Sequence, residues 1–68
     1  MKREIFSKVK VGDKFFIGEN TTILIKTNAT YYRDSHLVNA VYFENGEFAY
    51  ISNNTWVTML SNIGLTLR

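Results

Sequence analysis

The chain predicts an all-β domain in which five short strands roll into a small barrel behind a short N-terminal arm. Apolar runs rich in β-branched and aromatic residues recur from Val9 to Thr27 and again from Leu37 to Leu60. Each run is cut by a turn bearing glycine or asparagine, and no proline, repeat or linker interrupts the pattern. Sixty-eight residues leave room for one core only. Residues 1–68 therefore read as a single domain, with the core over about 9–60.

The elements follow in order. Residues 1–8 read as an arm or a short helical turn, with Ile5 and Phe6 tucked onto the barrel rim. Gly12-Asp13 opens the first strand, Lys14 to Ile17, and Gly18-Glu19-Asn20 turns the chain into the second, Thr21 to Thr27. Alternation there sets Ile23 and Ile25 against Thr22, Leu24 and Lys26, and the isoleucine pair is assigned to the core. Asn28 to His36 is the longest polar segment and reads as a loop. Leu37 to Phe43 is the third strand. Asn45-Gly46 then tolerates positive φ at both positions, a strong hairpin signal, and Glu47 to Ile51 pairs back as the fourth strand. A tight turn at Ser52-Asn53-Asn54 leads into the fifth strand, Thr55 to Leu60. The tail SNIGLTLR adds an edge strand or extends beyond the barrel.

Five strands, a tight hairpin between the third and fourth, and a short turn before the last resemble an SH3-like barrel. The pattern V-x-V-G-D-x-F is formed by Val9, Val11, Gly12, Asp13 and Phe15. It is followed by Ile23, Ile25, Lys26 and Thr27, by Asn39, Ala40, Val41 and Phe43, by the Asn45-Gly46 turn and by Trp56-Val57. Over about residues 9–60 this pattern is similar to small accessory proteins of tailed bacteriophages. The resemblance implies a barrel and a phage genome context. It carries no catalytic residues, because glycine, turn and core positions mark a fold and not an activity.

Composition narrows the function classes. With no cysteine, disulfides and thiolate metal sites are both excluded, which fits a reducing compartment. No apolar run approaches the ~20 residues of a membrane span, and the N-terminus lacks the apolar segment of a signal peptide. The expectation is a soluble cytoplasmic protein that does not engage a membrane. The formal charge is +2, unevenly spread. The first fourteen residues carry +3 through Lys2, Arg3, Lys8, Lys10 and Lys14, whereas Ile51 to Leu67 carries no charge. A basic arm beside an uncharged, Asn/Thr-rich stretch suits contact with phosphate or with another polypeptide, and it equally suits simple solvation of the first strand.

Catalysis finds no support in the residues. Asp34-Ser35-His36 sets the residue types of a hydrolytic triad side by side. Neighbouring side chains diverge, however, and the mechanism needs the histidine between nucleophile and acid. His36 is the only histidine and has no carboxylate at ligand spacing, so no metal site is expected. The four glycines are scattered and open no phosphate loop. No cofactor is expected.

The better candidates are contact residues. Tyr31, Tyr32, Arg33 and His36 cluster in the long loop; tyrosine and arginine combine wide buried area with hydrogen bonding and recur at binding hot spots. One tyrosine is expected in the core and one outside. Trp56 either lines a groove or caps the core, with burial favoured in so small a domain. Phe16 and Tyr50 are lesser candidates. A barrel this small cannot enclose ten aromatic side chains, so an exposed aromatic patch is expected. The leading reading is a non-enzymatic module that binds and modulates a host protein through Tyr31, Tyr32, Arg33, His36 and Trp56. The alternatives are DNA or RNA binding by the Lys2, Arg3, Lys8, Lys10 and Lys14 arm with stacking tyrosines, and a homo-oligomer assembled through open strand edges.

Overall fold

The computed structural model describes residues 2–19, 22–32 and 36–60, with the side chain of Tyr32 excluded. Its strands are β1 (Arg3–Ile5), β2 (Lys14–Phe16), β3 (Leu24–Tyr32), β4 (His36–Tyr42), β5 (Phe48–Ala49) and β6 (Trp56–Met59). They form one antiparallel sheet in the order β1-β6-β2-β3-β4-β5. The fold is all-β, but it has six strands where five were expected. Because β1 and β5 end the order, the sheet does not close into a barrel. The N-terminal arm is itself a strand: Arg3, Glu4 and Ile5 pair with Thr58, Val57 and Trp56. No helix among the described residues is long and apolar enough to cross a membrane.

A 3₁₀ turn at Phe6–Lys8 follows β1, closed by the Val9 amide donating to the Phe6 carbonyl at 3.0 Å. It docks on the Ser52–Thr55 turn through the Phe6 and Ser7 amides, which donate to the carbonyls of Thr55 and Asn53. This docking drives Phe6 into the centre of the core, where it is fully buried. Its ring meets Phe15 edge-on at 5.4 Å. The core thus begins before Val9, the boundary the sequence suggested. Lys26 closes the other side of Phe6, with Nζ 4.5 Å above the ring and donating to the Phe6 carbonyl at 2.9 Å.

The core face of β3 is the reverse of the expected one. Leu24, not the Ile23–Ile25 pair, packs with Phe6, Val9, Phe15, Ala40 and Val57. The register explains the reversal. Phe15 stands opposite both Leu24 and Met59, and Leu24 opposite Tyr42, so these side chains share one face. Lys26 belongs to the same face, and its ammonium is accommodated only because the Phe6 carbonyl and ring receive it.

The expected loop from Asn28 to His36 is mostly strand. β3 runs to Tyr32 and β4 begins at His36, with Tyr31 opposite Leu37 and Tyr32 opposite His36. Between Lys26 and Thr30 the register shifts. Four steps along β3 match two along β4, so β3 carries two extra residues there. The polar Thr27-Asn28-Ala29 stretch is this irregularity, a local bend within a continuing strand. The Asn45-Gly46 hairpin is present, with Gly46 at φ +75° and its amide donating to the Tyr42 carbonyl. The strand before it keeps its expected length, shifted by one residue, whereas β5 is reduced to Phe48-Ala49.

Asn39 accounts for that short strand. Beyond the Ala40–Ala49 pair, the chain is held by the Asn39 side chain in place of backbone pairing. Its Nδ2 donates to the Ile51 carbonyl and its Oδ1 accepts from the Ile51 amide, both at 2.8 Å. Only 5% of Asn39 is exposed. A carboxamide carries a donor and an acceptor and so satisfies both groups of one residue, as a facing peptide would. Asn39→Ala leaves both Ile51 groups without their partner, and Asn39→Asp can serve only the amide. At ~1–3 kcal/mol per abandoned group, Asn39→Ala is expected to lose ~2–6 kcal/mol and Asn39→Asp ~1–3 kcal/mol. Urea denaturation followed by far-UV circular dichroism checks this; an unchanged midpoint would remove Asn39 from its structural role.

Candidate functional site

The pairing register sorts the exposed side chains onto faces. Directly opposed residues of an antiparallel pair share a face. Ile5 opposes Trp56, Arg3 and Phe16 both oppose Thr58, Lys14 opposes Ile25, Ile25 opposes Val41, and Val41 opposes Phe48. All of these lie on the outer face, away from Phe15, Leu24, Ala40 and Val57. Among the described residues the aromatics Tyr31, Phe43, Phe48, Tyr50 and Trp56 are exposed, the patch that composition required.

At one end of the sheet, His36, Leu37 and Val38 of β4 face Phe48, Ala49 and Tyr50 across a groove of about 320 Å³. The groove exists because β5 stops at Ala49 while β4 continues to His36. Phe48 and Tyr50 are exposed on one wall, and His36 is exposed at the head of β4. Tyr31, opposite Leu37, is 70% exposed beside it. Tyr31 is therefore outside the core. The side chain of Tyr32 and all of Arg33 lie outside the described residues, as do Asp34 and Ser35.

Trp56 is not part of this groove. It sits on β6, three places from β4 in the sheet order, and it is 53% exposed, contrary to the burial expected for it. Strand alternation gives the reason. Val57 takes the inward position and is fully buried, which turns Trp56 outward. The Arg3 guanidinium lies 5.7 Å from the centre of the indole ring.

The basic arm does not form one surface. Lys2, Lys8 and Lys10 surround a shallow depression that also contains Glu4, Asp13 and Met59. Arg3 is on the opposite side of β1 with Trp56. Lys14 is elsewhere again, its Nζ 5.4 Å from the centre of the exposed Phe43 ring. Among the described residues no group of three His, Asp or Glu side chains is placed to hold a metal ion. The surfaces offer aromatic area, hydrogen bonds and fixed cations, the chemistry of association.

Sequence reading missed Phe43 and Phe48 as contact residues. Their signal was the alternation on either side of Asn45-Gly46, which buries Ala40 and turns Val41, Phe43 and Phe48 outward.

An exposed cation–ring contact is worth about 0.5–1 kcal/mol. Arg3→Gln is accordingly expected to lower stability by no more than about 1 kcal/mol, and to change the emission of Trp56, the chain's one tryptophan. A loss of several kcal/mol in urea denaturation would show that Arg3 holds β1 in place by another route. Comparison with known protein families, curated proteins and solved structures finds no match.

Proposed function

We propose that this protein is a non-enzymatic binding module that engages another polypeptide through the groove between β4 and β5. The observation that carries the reading is the grouping of Tyr31, His36, Phe48 and Tyr50 around an apolar floor of Leu37 and Val38. Aromatic side chains around a shallow groove are the common anchors of protein contacts, since they bury wide area at low entropic cost. A β4 edge that outruns its neighbour also suits an extended segment added alongside it.

The order β6-β2-β3-β4-β5 with a short turn before the last strand supports reading the fold as an SH3-like barrel to which β1 is appended. On this reading the resemblance to phage accessory proteins assigns the module to the host cytoplasm, where it binds and modulates a host protein. Nucleic-acid binding by the whole basic arm is disfavoured, because its five cations fall in three places.

Capture from a bacterial lysate tests the reading. Wild-type and Trp56→Ala proteins should retain the same polypeptide. A Tyr31→Ala/Tyr50→Ala variant that keeps its circular dichroism spectrum should lose it by tenfold or more, since each anchor is worth more than about 1 kcal/mol. Tyr32→Ala and Arg33→Ala extend the test to the segment between β3 and β4. Undiminished capture by the double variant would dismiss the groove.

A further inference from the structure

A second surface lies on the outer face at the other side of the sheet, independent of the β4–β5 groove. Trp56 on β6 is followed two residues later by Thr58, which opposes Phe16 of β2. Two residues before Phe16 on the same face is Lys14, whose ammonium stands over Phe43. Arg3, from β1, stands over Trp56. The fold thus lays out Trp56, Phe16 and Phe43 as a track with Arg3 and Lys14 set among them. With ~6.8 Å between same-face neighbours on a strand and ~4.8 Å between strands, Trp56 and Phe16 are about 8 Å apart.

By register, the strand positions of this face on β1, β6 and β2 carry Arg3 and Lys14 and no acidic side chain. Glu4 is excluded from it by register, since it opposes the buried Val57, and Asp13 lines the depression with Lys2, Lys8 and Lys10. Glu44 borders the track only at its Phe43 end. The aromatic rings are exposed or half-buried, and each cation already stands over a ring of the track. A polyanion that also carries flat apolar groups complements such a face: phosphates meet Arg3 and Lys14 while bases stack on the rings.

We propose that the outer face of β1, β6 and β2 binds single-stranded nucleic acid, with Trp56 and Phe16 as stacking platforms and Arg3 and Lys14 as phosphate contacts. Duplex is excluded from this mode because its bases are already stacked on one another.

The probe is a single-stranded oligothymidylate of about 12 nucleotides, within the span of comparable small β domains. Titration should quench Trp56 emission. Two phosphate contacts on a single strand give a salt slope of about −1.4, so affinity should fall about sevenfold between ~50 mM and ~200 mM salt. An Arg3→Gln/Lys14→Gln variant should abolish that salt dependence and weaken binding. Trp56→Phe should retain most of the affinity, and Trp56→Ala should lose about tenfold or more, since stacking is worth ~1–3 kcal/mol per base. A Lys2→Gln/Lys8→Gln/Lys10→Gln variant should bind as wild type. Absence of quenching, equal affinity for duplex of the same length, or loss confined to the Lys2, Lys8 and Lys10 variant would each overturn the proposal. So would light scattering that shows a dimer whose Trp56 emission is blue-shifted, because a second copy would then cover the face.

Discussion

The surface of this protein depends on how Asn39 ends a hairpin. A β4–β5 ladder continued past Ala40–Ala49 would bring Tyr50 opposite Asn39 and fill the space beside Leu37. Instead the Asn39 carboxamide takes both backbone groups of Ile51 at 2.8 Å. Hydrogen bonding is preserved while strand pairing stops, and among the described residues no buried side-chain nitrogen or oxygen lacks a partner. Ile51 can then pack against the core, and Phe48 and Tyr50 are left as one wall of an open groove. The same residue both closes the core at this end and opens the candidate site.

At the other end the equivalent constraint is Phe6. A chain of 68 residues supplies few large buried side chains, and among the described residues Phe6, Phe15 and Val57 are the largest that are fully buried. Phe6 reaches the core because the 3₁₀ turn redirects the chain between β1 and β2, with its amides held by the turn before β6. Pairing β1 with β6 then becomes a consequence of burying Phe6. It also fixes Arg3 beside Trp56. Core formation and surface chemistry are therefore coupled through one turn, and the basic arm is dispersed by the geometry that stabilises it.

The strand content, the Asn45-Gly46 hairpin and the need for exposed aromatics were legible in the sequence, because each rests on local rules. The face of β3 was not. Ile23, Leu24 and Ile25 are all apolar, so alternation alone offers two equivalent answers, and only pairing with Phe15 and Tyr42 selects Leu24. Lys26 argued for the wrong face because a lysine reads as solvent-facing; its stem lies along Phe6 and its ammonium finds a carbonyl there. Asn28-Ala29 read as the start of a loop because those residues are poor strand formers singly. Continued pairing of Thr30, Tyr31 and Tyr32 with β4 overrides that local preference. Trp56 was misplaced by a volume argument. In a small core the inward position at this point of β6 goes to Val57, and the register leaves no choice for its neighbour.

These same register effects divide the outer surface into two chemical halves. From His36 to Tyr50 the chain contains Glu44 and Glu47 and neither lysine nor arginine, so β4 and β5 line the groove without fixed cations. The β1–β6–β2 side has Arg3 and Lys14 seated over Trp56 and Phe43. An open sheet with one packed face must present its other face to water, and polar side chains would serve that purpose at less risk of self-association. Aromatic residues at Phe16, Phe43, Phe48 and Trp56 contribute nothing to the buried cluster and expose apolar area that stability does not require. Their exposure on both halves supplies the area that the two proposed contacts would use, and the charges beside the two halves differ.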